Sequence, residues 1–139
     1  MLPLTTAFAT MSAEQSKAFV QRAVIYALQN KPINYGKYAS LDLIVHVDGN
    51  TFNFVQWVKH LNDIKKEAQS IQPTFLQMIA EDNHVATIFK VNIVKTDGSK
   101  LEIKDLAFFE IKDNKIIYVD ELTRLTKGDL KDKDIGSLK

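Results

Sequence analysis

The chain has 139 residues, 45% apolar and 25% charged, which suits one globular domain and leaves no room for a second. Its 18 basic and 17 acidic side chains leave a net charge of +1, no field for a polyanion, which argues against nucleic acid as the principal partner. Cysteine is absent, excluding disulfide frameworks, thiolate metal sites and cysteine nucleophiles together. No apolar run reaches the roughly 18–20 residues of a membrane span, so no membrane partner and a cytoplasmic location are expected.

Met1 to Ala9 ends in Ala-Phe-Ala, the small-x-small pattern of a trimmed export signal, but lacks a basic start and a long apolar stretch. Residues 1–11 are therefore expected to be a poorly ordered leader, 12–126 the domain, and 127–139, where Lys and Asp alternate, a charged and solvated C-terminal tail. Ser12 with Gln15 three residues on is a capping-box pattern, and Phe19, Val20, Ala23, Val24, Ala27 and Leu28 follow at helical spacing. The first helix is predicted from Ala13 to Gln29, stopped near Asn30-Lys31-Pro32. Asn34 to Leu41 is ambiguous, and Leu43 to Val47 reads as a short strand closed by Asp48-Gly49-Asn50. Phe54, Trp57, Val58, Leu61, Ile64 and Ala68 recur at helical intervals, predicting a second helix from Thr51 to Ala68. From Pro73 to Leu125 the period is two, which predicts an antiparallel sheet.

Strand parity decides which side chains share a face, because partners across a hairpin point the same way. A three-residue loop, Thr96 to Gly98 with Gly98 left-handed, pairs Ile93 with Leu101 and keeps the apolar faces together. Asp113-Asn114 suits a two-residue primed turn, pairing Ile111 with Ile116, Phe109 with Tyr118, Ala107 with Asp120 and Asp105 with Leu122. Asp82-Asn83 likewise pairs Ala80 with Val85, Met78 with Thr87 and Leu76 with Phe89. One face then reads Leu76, Met78, Phe89, Val91, Ile103, Phe109, Ile116, Tyr118 and Leu122, and carries Asp105 and Asp120 diagonally, about 6–8 Å apart. The other face carries Phe75, Ile79, Ile88, Leu106, Phe108, Ile117 and Val119 with Glu102, Lys104, Glu110 and Lys112 at its rim. An apolar centre with a charged rim is how an interface reads, so a homodimer through this outer face is expected.

The order helix, short strand, helix, long-stranded sheet resembles the nuclear-transport-factor-2-like superfamily and, within it, the SnoaL-like polyketide-cyclase group. The resemblance is carried by Leu43-Ile44-Val45-His46-Val47-Asp48-Gly49 leading to Phe54 and Trp57, by Asn83-His84-Val85-Ala86, by Lys95-Thr96-Asp97-Gly98, and by Phe108 through Ile117. Asp120-Glu121-Leu122-Thr123-Arg124-Leu125, followed by Gly128-Asp129 and Ile135-Gly136-Ser137, also looks like the close of some bacterial members. The resemblance implies an α+β fold of the cystatin-like kind: a cone-shaped, curved antiparallel sheet packed on N-terminal helices, a pocket between them, and a homodimer joined through sheet faces. Its members include cyclases, ketosteroid isomerases, dehydratases and epoxide hydrolases as well as binding proteins. The chain departs from the isomerases, whose acid falls at Ala107, and has no arginine between two aspartates as in the epoxide hydrolases. Many relatives place the last-strand carboxylate where Glu121 stands, and a bulge would exchange Glu121 for Asp120 as the inward residue.

Asp105 inside an apolar alternation is the sharpest chemical signal, because a buried carboxylate is costly unless paired or put to use. Asp120 and His46 join it as candidate acid–base groups. Tyr26, Trp57, Phe89, Phe109, Tyr118 and Glu121 are expected to line the ligand, with Tyr26 and Tyr38 as possible donors to a ligand carbonyl. His46, His60 and His84 have no short ligand spacing, so no metal is expected. Two readings stay open: a cofactor-independent enzyme moving a proton on a small apolar carbonyl compound, as isomerases, cyclases and dehydratases do, or a non-catalytic small-molecule-binding or dimeric accessory domain.

Overall fold

The computed structural model of the chain describes residues 10–30 and 34–137. The expected leader lies, apart from Thr10 and Met11, outside the described residues. Helix α1 (Ala13–Gln29) is followed by strands β1 (Ala39–Val47) and β2 (Asn50–Asn53), helix α2 (Phe54–Lys66), and four long strands, β3 (Ala68–Glu81), β4 (His84–Lys95), β5 (Lys100–Lys112) and β6 (Lys115–Lys127). All six strands form one sheet in the order β2-β1-β6-β5-β4-β3, antiparallel except that β1 runs parallel to β6. The architecture is the expected α+β curved sheet with N-terminal helices.

Helix α1 begins where the capping box predicts it: Gln15 N–H donates to Ser12 Oγ, and the Gln15 side chain accepts from Ser12 N–H. The second helix starts three residues later than predicted. Asp48 and Gly49 both take positive φ and turn the chain back, so Asn50–Asn53 pairs with β1 and Asn53 caps α2 through a second box with Gln56. Lys65 is buried and donates from Nζ to Ala27 O (2.8 Å) and Asn30 O (2.5 Å), tying α2 to the C-terminal end of α1 where carbonyls lack helical partners. Ser16 Oγ donates to Asp82 O (2.6 Å), fixing α1 to the β3–β4 turn. The apolar stripes of both helices and the inward side chains of the strands form one core. Among the described residues no helix is long and apolar enough to cross a membrane.

The turns agree with their predicted chemistry. Ile93 faces Leu101, and Gly98 has φ +84° in the three-residue loop. Asp113 and Asn114 both have positive φ, and Ile111 faces Ile116. Beyond these turns, single extra residues change the parity. Leu76 bulges out of β3, so Phe75 rather than Leu76 faces Phe89. Ile117 bulges out of β6, so Phe109 faces Val119 rather than Tyr118, Ala107 faces Glu121, and Asp105 faces Thr123. A bulge offers two residues against one and bends the strand, which curves this sheet and turns every later β6 side chain over. Phe75 and Val119 therefore join the core, while Leu76, Tyr118, Asp120 and Leu122 move to the outer face.

The C-terminal segment differs from the solvated extension expected of it. Residues 129–137 fold back over the open end of the cone and bury Ile135 and Ser137. Their lysines and aspartates mask the one apolar side chain that docks.

Candidate functional site

Between the concave side of the sheet and the two helices lies a cavity of about 70 Å³, room for a few waters and smaller than the pockets of drug-sized ligands. Its walls are mostly apolar: Val24, Ala27 and Leu28 from α1, Leu61 and Ile64 from α2, and Phe89, Val91, Ile93, Ile103, Phe109 and Val119 from the sheet. Into this lining project Asp105, Glu121, Tyr35, Trp57, His60 and Thr123.

Asp105 and Glu121 lie diagonally on β5 and β6, both turned inward, and share a side-chain hydrogen bond. Burial is the first cause that pushes each carboxyl group upward. Glu121 is raised to about 7 by burial and by the charges of Asp48 and Asp120, partly opposed by the hydrogen bond from Asp105. Asp105 is raised well above the ordinary aspartate range by burial, then by the Glu121 charge and hydrogen bond, then by Asp48. Both carboxyl groups thus hold their protons more tightly than free carboxyl groups do, Glu121 up to about pH 7. Asp105 Oδ1 is buried without a hydrogen-bond partner among the described residues. A polar ligand atom placed there would remove a penalty of about 1–3 kcal/mol.

The surrounding shell is built from segments whose roles the sequence did not announce. Tyr35 sits in a single 3₁₀ turn (Tyr35–Lys37), is buried, and accepts a hydrogen bond from the Trp57 indole. Burial and the nearby Glu121 hold its hydroxyl protonated, well above the usual tyrosine range, so it remains a donor. Trp57 stacks on His60 with ring centroids 5.0 Å apart, and both rings lean on Phe52. Asp48, at the β1–β2 turn, accepts from Thr123 N–H (2.7 Å) and from the Thr123 hydroxyl, fixing the β6 residue that faces Asp105.

Of the residues singled out from sequence, Asp105, Glu121, Trp57, Phe89 and Phe109 meet at this cavity. Asp120, His46 and Tyr118 do not. The bulge at Ile117 turns Tyr118 and Asp120 outward, where the Tyr118 hydroxyl donates to Asp120 Oδ2 (3.3 Å) and His46 packs edge-on against Tyr118. His46 Nδ1 is 2.8 Å from Thr51 Oγ1 on the neighbouring strand. Tyr26 packs against Tyr38 at the edge of the core, outside the cavity lining, and its hydroxyl accepts from Asn34 N–H (2.8 Å). The missed residues are Tyr35, His60, Asp48, Thr123 and Ile135. For Asp48 a signal was present, since Asp-Gly is a strong hairpin mark and places the aspartate beside the strand ends. Among the described residues no three His, Asp or Glu side chains converge to hold a metal ion.

Comparison with known proteins separates the fold from the function. AclR of Streptomyces galilaeus, described as a candidate hydroxylase, superposes with a TM-score of 0.74 at 17% identity, over 92% of this chain and 89% of that one. IdmH of Streptomyces antibioticus, described as a candidate polyketide cyclase, gives 0.65 at 14% identity, over 78% and 91%. These likenesses show a shared fold, a curved antiparallel sheet packed on N-terminal helices. No protein-family model matches the chain. An uncharacterised protein of Schizosaccharomyces pombe is 26% identical over 92 residues, 66% of this chain and 71% of that protein. The same fold thus carries differently named activities at this level of identity, so function must be argued from the carboxyl pair and its lining.

Proposed function

We propose that the protein catalyses proton transfer on a small, apolar, carbonyl-bearing molecule, in the manner of an isomerase, cyclase or dehydratase. The observation that supports this best is the Asp105–Glu121 pair, buried in an apolar cavity with both carboxyl groups pushed upward and Glu121 poised near neutrality. A general base works best when its pKa lies near the working pH, and Glu121 at about 7 meets that condition. In the proposed step the Glu121 carboxylate removes a proton from the carbon beside the carbonyl. The C–H electron pair becomes the C=C bond of an enolate, and the charge passes to the oxygen. That oxygen is stabilised by the Tyr35 hydroxyl, which burial keeps protonated and which lines the same cavity, while Asp105 donates its hydrogen bond to the Glu121 base. Return of the proton from Glu121 to the same or a conjugated carbon completes the cycle with no net change in charge.

Carboxyl-carbon NMR across pH 3–10 tests the electrostatic basis: two carboxyl groups should titrate above the ordinary carboxylate range, Glu121 near pH 7. Asp105→Asn should remove one late transition with the fold intact and abolish deuterium wash-in at the α-carbon of cyclohexenone in D₂O. Two carboxyl groups titrating near 4, or wash-in unaffected by Asp105→Asn, would overturn the reading.

We further propose that two copies associate through the outer sheet face. Both helices cover the inner face, leaving Ile79 of β3, Leu106 and Phe108 of β5 and Leu122 of β6 exposed on the other, with Ala86 and Ile88 of β4 lining the same surface between them. A contiguous apolar patch of this kind is uncommon on a monomer, and its polar rim is suited to association.

A further inference from the structure

The cavity has one wall that belongs to neither sheet nor helix. After β6, Gly128 takes φ +123° and passes so close to β5 that a Cβ there would lie 2.8 Å from Leu101 Cβ. The chain turns, Asp129 Oδ1 accepts from Lys131 N–H (2.9 Å), and a 3₁₀ turn (Leu130–Asp132) follows. Asp132 then pairs with Lys95 on β4 at 3.1 Å, both side chains largely covered at 13% and 15% exposure. Three residues further on, Ile135 enters the cavity and is itself buried. Gly136 rests on Thr123, where a Cβ would meet Thr123 Oγ1 at 2.7 Å. The Ser137 carbonyl accepts from Asn50 Nδ2 at 2.7 Å.

The residues that hold this strap differ from those that hold the other walls. Helix α2 is fixed to α1 by buried Lys65, and α1 to the β3–β4 turn by Ser16, each inside the continuous core. The strap is held by one ion pair, one amide hydrogen bond and one apolar side chain. Few bonds therefore tie it to the rest of the fold, the mark of a segment of low local stability. It also lies where the chemistry is, because Gly136 packs on the residue that faces Asp105 across the sheet.

We propose that Ile135 determines which ligands reach the Asp105–Glu121 pair: the strap lifts, the apolar end of the ligand takes the place of the Ile135 side chain, and its oxygen is turned toward the carboxyl pair and the Tyr35 hydroxyl that line the same cavity. The ligand class is a compact molecule with one polar oxygen and a branched or cyclic apolar body. This rests on the reading that the cavity receives a ligand. Gly136 is required at its position because any side chain there would push the strap off Thr123 and withdraw Ile135.

Trp57 is the sole tryptophan and lines the same cavity, so quenching of its fluorescence by acrylamide reports entry into the cavity. Ile135→Ala should raise the quenching constant at least two-fold with the far-UV circular dichroism unchanged. Asp132→Asn, which loosens the strap from outside the cavity, should raise it to a smaller extent and guards against a folding defect in the first variant. Ile135→Ala should also bind the bulky 2-adamantanone at least ten-fold more tightly than the unaltered protein does, while cyclohexenone affinity changes less. Unchanged quenching in both folded variants, or an unchanged ratio of the two ketone affinities, would overturn the proposal. Ordinary carboxyl titrations accompanied by raised quenching would remove the proton-transfer reading and leave the strap. Shifted carboxyl groups with unchanged quenching would do the reverse.

Discussion

Replacing Glu121 by glutamine removes an ionisation that the fold resists, and the consequence for stability can be worked from the pKa. In the unfolded chain this carboxyl group titrates near its ordinary 4.5, whereas in the cavity it titrates at about 7. The folded protein binds the proton more strongly than the unfolded chain does. The stabilisation from the protonated form is therefore complete below about pH 4.5 and is lost as pH rises through 7. At about 1.4 kcal/mol per pH unit, the loss from Glu121 alone comes to about 3 kcal/mol by pH 8. Asp105, raised for the same reasons, adds a loss of the same sign as pH rises above the ordinary aspartate value. Urea unfolding followed by circular dichroism at pH 5, 6, 7 and 8 should show the unaltered protein losing stability steadily. Glu121→Gln, which keeps a hydrogen-bond partner for Asp105, should lose much less and be the more stable of the two at pH 8. The double variant Asp105→Asn, Glu121→Gln should be nearly flat over this range. A flat profile for the unaltered protein, or an equal slope for Glu121→Gln, would refute the placement of an ionisable pair inside the cavity.

Gly98→Val should destabilise the protein by at least about 1 kcal/mol in thermal or urea unfolding. A Cβ at Gly98 meets nothing within 4 Å while φ is +84°, so the cost would be backbone strain alone and an unaffected midpoint would disprove it. Phe108→Glu, on the exposed outer face, should convert a dimer to a monomer in sedimentation at micromolar concentration without changing the circular dichroism. An unaltered protein that already sediments as a monomer would end the proposal of association through that face.

What could be read from sequence was what short-range physics decides. The Ser12–Gln15 box set the start of α1, and Asp113-Asn114 and Gly98 set two turns, because each depends on a side chain or a φ angle within three or four residues. The inward position of Asp105 follows from the Gly98 loop alone, with no bulge between that loop and Asp105 in the β4–β5 pairing. The orientation of β6 depended instead on whether an extra residue is inserted at Ile117, and an isoleucine in a bulge looks no different from one in a regular strand. The same holds for Leu76 in β3. Tyr35 and Ile135 were illegible for another reason. Each reaches the cavity from a segment with no periodicity, positioned only by tertiary contacts such as Trp57 on Tyr35 and Thr123 beneath Gly136.

The adjacent acids Asp120 and Glu121 show why the uncertain parity matters less to the site than to the face. Whichever register β6 adopts, one acid points into the cone and the other out, so an inward carboxyl group beside Asp105 is present either way. The fold chooses the longer one, and the outward Asp120 finds the Tyr118 hydroxyl at the surface. Inside, the hydrogen bond between the two acids offsets only part of the cost: Asp105 Oδ1 has no partner among the described residues, and the surrounding walls are mostly apolar. A core optimised only for stability would replace both acids with hydrophobic residues of similar volume. Local rules are broken here by two acids facing one cavity, while the capping boxes and turns elsewhere obey theirs. A violation confined to one cavity is what a site that binds or reacts produces, since the penalty carried by the empty pair becomes affinity for a ligand that can satisfy it.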